Sequence, residues 1–455
     1  MSETSSGVSP WWRQDDWWAV VLGLGLIVVG WALFASGSSL SWVAVTPARW
    51  TSLPQLAADF AAKWPRYLAQ LLLWLVLIPP ALASLGYRLK HTVPAFLFLY
   101  FAAVAIFTLG QWDQAVRYNL EPPLVALGTG LLLANLNILP RTLDAGFRVE
   151  FYIKLGVVLL GATLPFTLIV WAGPVALLQA TIVSVVTFGV IFAAARALKI
   201  DPRYAATLGV GGAVCGVSAA IAIAAAVGAR KQEAASVISI VILWAIVMIF
   251  FLPFASAALH LPAGVGGAWI GTSEFADAAG LAAAQAYGGM AERVPGAPAG
   301  AADQAVAAFT LMKLVGRDIW IGIWAIVLSI VATTRWGATG IDNRAGPGEI
   351  WRRFPKFVLG FLAASLIITL IAQGVGRADY GKLADPGLVG PIKRLRSWAF
   401  VFGFLSIGLT TRLRDLAGVG GRPLLAFSAG VVVNVVLGFV LSVLVFGDYW
   451  ARLGQ

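Results

Sequence analysis

The sequence predicts an all-α polytopic membrane protein with about thirteen transmembrane segments, organised as inverted repeats around broken, crossing helices. Three observations carry that prediction. The 455 residues are 60% hydrophobic and 12% charged, with 19 tryptophans, a composition outside the soluble globular range. Apolar runs approaching the ~20 residues a bilayer requires recur along the chain. One of them, residues 203–233, is interrupted by Gly209, Gly211, Gly212 and Gly216, with the single cysteine Cys215 and Ser218 beside them.

Taken in order, the runs are 17–36, 68–85, 94–110, 123–139, 151–171, 174–195, the Gly/Cys segment and 235–259. They continue with a weaker 268–288, then 305–334, 357–373, 397–411 and 423–446. The opening residues lack a basic n-region and a small-residue cleavage site, so 17–36 reads as a retained span. Residues 50–65 mix Leu53, Leu56, Phe60 and Trp64 with Asp59 and Lys63. They read as an interfacial amphipathic helix or as an ordinary loop. Arg88, Lys90, Arg141, Arg148, Arg196, Lys199, Arg335, Arg344, Arg352 and Arg353 fall on one side if every segment spans. That places the N-terminus in the cytoplasm, although Arg230, Lys231 and the 377–396 loop dissent. Arg148 and Lys154 read as anchors on the same side.

Residues 155–180 and 402–426 resemble one another: each has a Gly before a Leu/Thr step, a Gly- and Pro-containing hinge, then Leu-Leu entering another span. Their separation of about seven segments is odd, which gives the copies opposite orientations. The corresponding division is an N-terminal extension over 1–120, a first repeat over 121–265 and a second over 266–455.

Glycines inside a helix each cost about 1 kcal/mol relative to alanine, so the Gly/Cys cluster reads as an opened helix or as a surface for close helix packing. An opened helix restarting near Cys215–Ser218 aims free N–H groups and a positive dipole end at an anion. Cys215 itself reads as a small apolar filler. Charges within apolar segments default to functional candidates. Glu274 and Asp277, spaced i, i+3 behind Thr272 and Ser273, read as a proton- or cation-coupling pair or as a capped helix start in a loop. Lys313 and Arg317, spaced i, i+4 with Asp318 as a partial partner, read as an anion site or as snorkelling anchors. Asn135, Asn137 and Asn434 read as interhelical glue.

A Ser/His/Asp set, a phosphate loop, an HExxH motif and a nucleotide-binding glycine fingerprint are all missing from the sequence, so no enzyme, cofactor or metal is expected. The net charge of +11 lies in short loops between apolar runs, which points to the lipid bilayer rather than nucleic acid.

The stretch GVGGAVCGVSAAIAIAAAVGARKQE resembles the signature of the YeiH-like putative sulfate exporter family of bacterial membrane proteins. KLGVVLLGATL from Lys154, FPKFVLGFL from Phe354 and LSIGLTTRLRDL from Leu405 add to the resemblance, which covers about residue 123 to the C-terminus. Membership implies the class of bile-acid-type symporters and cation/proton antiporters, in which a core domain moves against a scaffold or dimerisation domain. It leaves room for a homodimer in the bacterial inner membrane. Two departures stand out. The chain has Gly271-Thr-Ser-Glu-Phe-Ala-Asp277 where the family shows a His-containing motif, and Lys313 to Arg317 is one residue wider than the family spacing.

The expected function is secondary transport, by export, of a small anion such as sulfate or an organosulfonate, coupled to protons or sodium. The alternative is a passive anion channel or uniporter. The expected substrate-binding residues are Gly211, Gly212, Cys215, Gly216, Ser218, Thr272, Ser273, Lys313 and Arg317, with Glu274 and Asp277 coupling. The crossing partner expected for the Gly/Cys helix is 271–288.

Overall fold

Apolar helix-forming sequence accounts for nearly every element in the computed structural model, which describes residues 11–118, 120–298, 300–336, 355–375, 386–416 and 420–453. The principal helices are α1 (Asp15–Ala35), α2 (Leu53–Ser84), α3 (Leu89–Gly110), α4 (Pro122–Asn135), α5 (Val149–Gly161) and α6 (Phe166–Ala197). Then come α7 (Pro202–Ala213), α8 (Val217–Val227), α9 (Lys231–Ala258), α10 (Ala263–Ser273) and α11 (Asp277–Glu292). The last are α12 (Ala301–Arg335), α13 (Lys356–Val375), α14 (Gly390–Thr410) and α15 (Gly421–Val445). Among the described residues, eight helices are long and apolar enough to cross a bilayer, and the protein is an all-α polytopic membrane protein.

Several expected segments differ in length or boundary. Residues 50–65 are neither a separate interfacial helix nor a loop, because α2 runs through Pro65 and on to Ser84 without a break. Pro174 does not start a span; it lies inside the 32-residue α6, and the chain breaks earlier, at 162–165. A proline removes a donor and crowds the preceding turn without always ending a helix. α4 has 14 residues and α8 has 11. α14 has 21 residues but carries Lys393, Arg394 and Arg396 in its first two turns, so it is less apolar than a lipid-facing span. Arg344, Arg352, Arg353, residues 377–385 of the dissenting loop, Phe354 and the 417–419 part of the second hinge lie outside the described residues.

The chain divides into two compact units. Unit 1 comprises Met1–Phe166 and Lys356–Thr411, and unit 2 comprises Thr167–Pro355 and Arg412–Gln455. The stretches 155–180 and 402–426 each pass from unit 1 into unit 2, after α5 and after α14.

Within unit 1 the central packing is α14 against α4 and α5. A Cβ on Gly130 would lie 2.6 Å from Leu405 O, and one on Gly408 would lie 2.4 Å from Leu127 O. These helices meet backbone to backbone, as small residues allow in membranes. Lys154 Nζ ties α5 to α1, with Asp16 at 2.7 Å and Asp15 and Glu150 at 3.0 Å. It is a bound cation of the helix interface. Asn135 Nδ2 donates to Thr411 O at 3.3 Å, joining α4 to the end of α14.

Unit 2 holds two interrupted helices, α7/α8 and α10/α11, each followed by a long one, α9 or α12. Asn434 of α15 donates to Thr187 Oγ1 of α6 at 3.0 Å, an interhelical hydrogen bond of the kind expected for it. Asn137 instead takes a positive φ in the turn after α4.

Candidate functional site

The two interruptions in unit 2 cross. The first falls at 214–216, between α7 and α8, where Gly216 has φ 73° and ψ −106°. The second falls at 274–276, between α10 and α11. A Cβ on Gly216 would stand 2.6 Å from Phe275 O and 2.6 Å from Val241 Cγ1. Only a glycine permits both that backbone conformation and that approach. The expected crossing of the Gly/Cys helix with the 271–288 segment is therefore present as a contact between two broken backbones.

Broken helices create a bonding problem. Each half-helix that ends at the crossing leaves its last carbonyls without intrahelical partners, and such groups cannot be left bare away from water. Lys313 and Arg317, both fully buried, answer it. Lys313 Nζ donates to Val214 O at 2.8 Å, Glu274 O at 2.7 Å and Phe275 O at 3.3 Å. Arg317 donates from Nε to Ala213 O at 3.3 Å, from Nη2 to Gly212 O at 3.2 Å, and from Nη1 to Thr272 O at 2.6 Å. Nη1 also reaches Glu274 O at 3.3 Å and Gly271 O at 3.4 Å. Two positive side chains thus sit where two negative helix ends converge, the favourable pairing for the helix dipole. They are neither snorkelling anchors nor open donors, since backbone carbonyls occupy them.

Lys313 and Arg317 lie in a π-helical stretch of α12, Leu311–Arg317, closed by the Asp318 N–H donating to Lys313 O at 3.1 Å. The wider turn lets both long side chains reach the same crossing, and such insertions recur at functional sites.

The N-terminal ends at the crossing are treated unequally. At α11, Glu274 Oε1 accepts from Phe275 N at 2.9 Å and Ala276 N at 3.3 Å, and Asp277 occupies the first turn. At α8 the N-cap is a glycine and no acidic residue stands in the first turn, while the Ala219 N–H turns to the Cys215 thiol; Ser218 there is exposed and Val217 half-buried.

The i, i+3 reading of Glu274 and Asp277 does not survive, because the break falls between them. Glu274 is extended (φ −78°, ψ 138°) in the linker, while Asp277 begins α11. They do not share a helix face. Thr272 and Ser273 likewise end α10 rather than cap α11. Thr272 Oγ1 donates to Trp269 O at 2.8 Å and lies 3.5 Å from Ser273 Oγ, and both hydroxyls press against Gly438 of α15, where a Cβ would meet them at 2.5 and 2.7 Å.

Of the other expected residues, Gly211 packs toward Val237, and Gly212 against Ile191 and Phe427. Cys215 is buried with a free thiol. Its Sγ and one carboxylate oxygen each of Asp277 and Asp318 lie within 4.8 Å of one another. Asp277 Oδ1 is 3.8 Å from Lys313 Nζ. Sequence reasoning placed Asp318 only as a partial partner of the two cations. Its position opposite Cys215 follows from the crossing and has no counterpart in local spacing.

Comparison with known proteins gives a consistent family. The family model described as Conserved hypothetical protein 698 matches residues 94–427, which begins ahead of the expected start near 123 and takes in α3. A UPF0324 membrane protein from Nitratidesulfovibrio vulgaris is 31% identical over 380 residues, 80% of this chain and 62% of that relative's length. UPF0324 membrane protein RB9488 from Rhodopirellula baltica is 31% identical, with 88% of this chain and 71% of the relative covered. UPF0324 membrane protein NE0724 from Nitrosomonas europaea is 29% identical, with 91% of each chain covered. No solved structure matches the chain.

Proposed function

The chain belongs to the Conserved hypothetical protein 698 family, alongside the UPF0324 membrane proteins, and we propose that it is a secondary transporter of a small anion, driven by a cation gradient. The observation that carries this reading is the N-terminus of α8 at the crossing, which has no acidic residue in its first turn. An anion there meets the positive end of an 11-residue helix. The reading assigns Gly216 and Ser218 to the substrate and makes Lys313 and Arg317 the positioning residues that hold both breaks open. Sulfate or an organosulfonate is the proposed substrate class, with export as the direction and the bacterial inner membrane as the location, N-terminus inside. These three rest on the resemblance and on the basic loops. Transport with two interrupted helices crossing at the site is the arrangement that many secondary transporters use.

The reading has a direct test. Purified protein is screened by thermal shift against sulfate, sulfite, sulfonates and carboxylates. A ligand at 100 times its Kd adds about 2.7 kcal/mol to native stability. One of the sulfur oxyanions is expected to raise the melting temperature in a saturable way. Ser218→Asp places a carboxylate at the α8 N-terminus and is expected to abolish that shift. A Ser218→Asp protein that still responds fully would move the anion elsewhere.

A further inference from the structure

Asp318 is, with Glu274, one of two almost fully buried acids among the described residues of unit 2 that have an unpartnered carboxylate oxygen. It is 2% exposed, and its Oδ1 has no hydrogen-bond partner. Isolated carboxylates are not left ionised in such surroundings, because the desolvation cost is several kcal/mol unless a counter-charge or proton compensates. Lys313 makes no direct ion pair with it: its Nζ donates to the carbonyls of Val214 and Glu274, and the carboxylate within 4 Å of it is that of Asp277.

The charged and titratable groups facing this point come from every element of the crossing. Cys215 comes from the α7/α8 break, Glu274 from the α10/α11 break, Asp277 from α11, and Lys313 and Arg317 from α12 itself. That is two cations against three carboxyls, an excess of one negative charge with the thiol neutral. Glu274 is held at Oε1 by Phe275 N and Ala276 N, with its Oε2 unpartnered, while Asp277 and Asp318 face one another across the crossing. Their oxygens approach within 4.8 Å of each other and of Cys215 Sγ. Two carboxylates this close disfavour one another's charged form, and a small cation or a proton between them relieves that repulsion.

We propose that Asp277 and Asp318, with Cys215 as a neutral wall, form the site of one small cation, a sodium ion or a proton. Calling it the coupling cation rests on the transport reading above; the cation site itself does not. Under that reading the coupling partner of Asp277 is Asp318 rather than Glu274. Occupancy also favours the anion, because removing negative charge beside the α8 N-terminus strengthens its pull on an oxyanion. By linkage, the anion then tightens the cation to the same degree.

The experiment uses the full-length purified protein, with melting temperature followed against sodium at constant ionic strength and against pH. A sodium site makes the wild type more stable as sodium rises at alkaline pH. A proton site makes its stability fall with rising pH, whatever the sodium concentration. In either arm Asp318→Asn is expected to lose the dependence. It is also expected to be at least as stable as wild type at alkaline pH without sodium, since an isosteric amide removes an uncompensated charge. Cys215→Ser is expected to keep the dependence. Should Asp318→Asn fail to fold, Asp277→Asn, at a partly exposed position, is expected to weaken the same dependence. Full retention of the cation response in Asp318→Asn, or in Asp277→Asn, overturns the site. Loss of that response in a protein whose vesicles carry no anion leaves the cation site standing and removes the transport reading. Normally coupled anion flux in Asp318→Asn leaves the transport reading standing and overturns the assignment of Asp318 to the coupling cation.

Discussion

Lys313→Met is expected to destabilise the protein by about 3–5 kcal/mol, the cost of breaking a buried charged network by removing one member. Methionine keeps most of the volume and removes every donor. The carbonyls of Val214, Glu274 and Phe275, now served by one ammonium, would then face apolar surroundings, and Asp277 would lose its contact at 3.8 Å. Arg317→Met is expected to cost at least as much, because the guanidinium bridges Gly212 and Ala213 at the end of α7 to Thr272 at the end of α10. Arg317→Lys is not expected to rescue it, since an ammonium lacks the planar fork that spans both helix ends. Melting temperature and monodispersity in detergent measure all three. If Lys313 and Arg317 served chiefly as open anion ligands, these variants would lose anion binding while keeping wild-type stability.

Gly216→Ala is expected to be nearly as damaging and for a different reason. Its φ of 73° with ψ of −106° belongs to backbone that side-chain-bearing residues occupy at about 1–3 kcal/mol. The new Cβ would also overlap Phe275 O and Val241 Cγ1, each at 2.6 Å. Backbone oxygen cannot rotate away, so the two breaks must separate. Stability and the sulfur-oxyanion thermal shift are expected to fall together. Gly228→Ala, at the left-handed C-cap of α8 (φ 68°, ψ 37°), is the control. It carries a similar backbone strain away from the crossing and is expected to lower stability while leaving the anion shift intact.

Some of the site is legible in sequence. Glycines packed into 209–216 of an apolar run announce a break, and the weak hydrophobicity of 268–288 announces its partner, because both departures are costly in a bilayer. What the cations do is not legible: their ligands are main-chain carbonyls, which every residue possesses and no spacing reveals. The pairing of Glu274 with Asp277 fails for a related reason. Periodicity presumes a continuous helix, and here the break falls between the two acids. Prolines mislead in the same direction. Pro65 and Pro174 both sit inside long helices, where neighbouring elements offset what the ring removes, while the break that opens α6 comes ahead of Phe166. Asp318 stands beside Arg317 in sequence, yet the groups it meets, Cys215 and Asp277, come from two other helices.

The central claim is cation-driven movement of a small anion, and uptake into proteoliposomes measures it most directly. Purified protein is reconstituted with equal sulfate on both sides, trace radiolabelled sulfate outside, and an imposed proton or sodium gradient. The account predicts uphill accumulation or extrusion of label that tracks the cation gradient, collapses with the matching ionophore and is absent in Asp318→Asn. Label that equilibrates at the same rate with and without either gradient would contradict the account and mark the protein as a passive anion pathway.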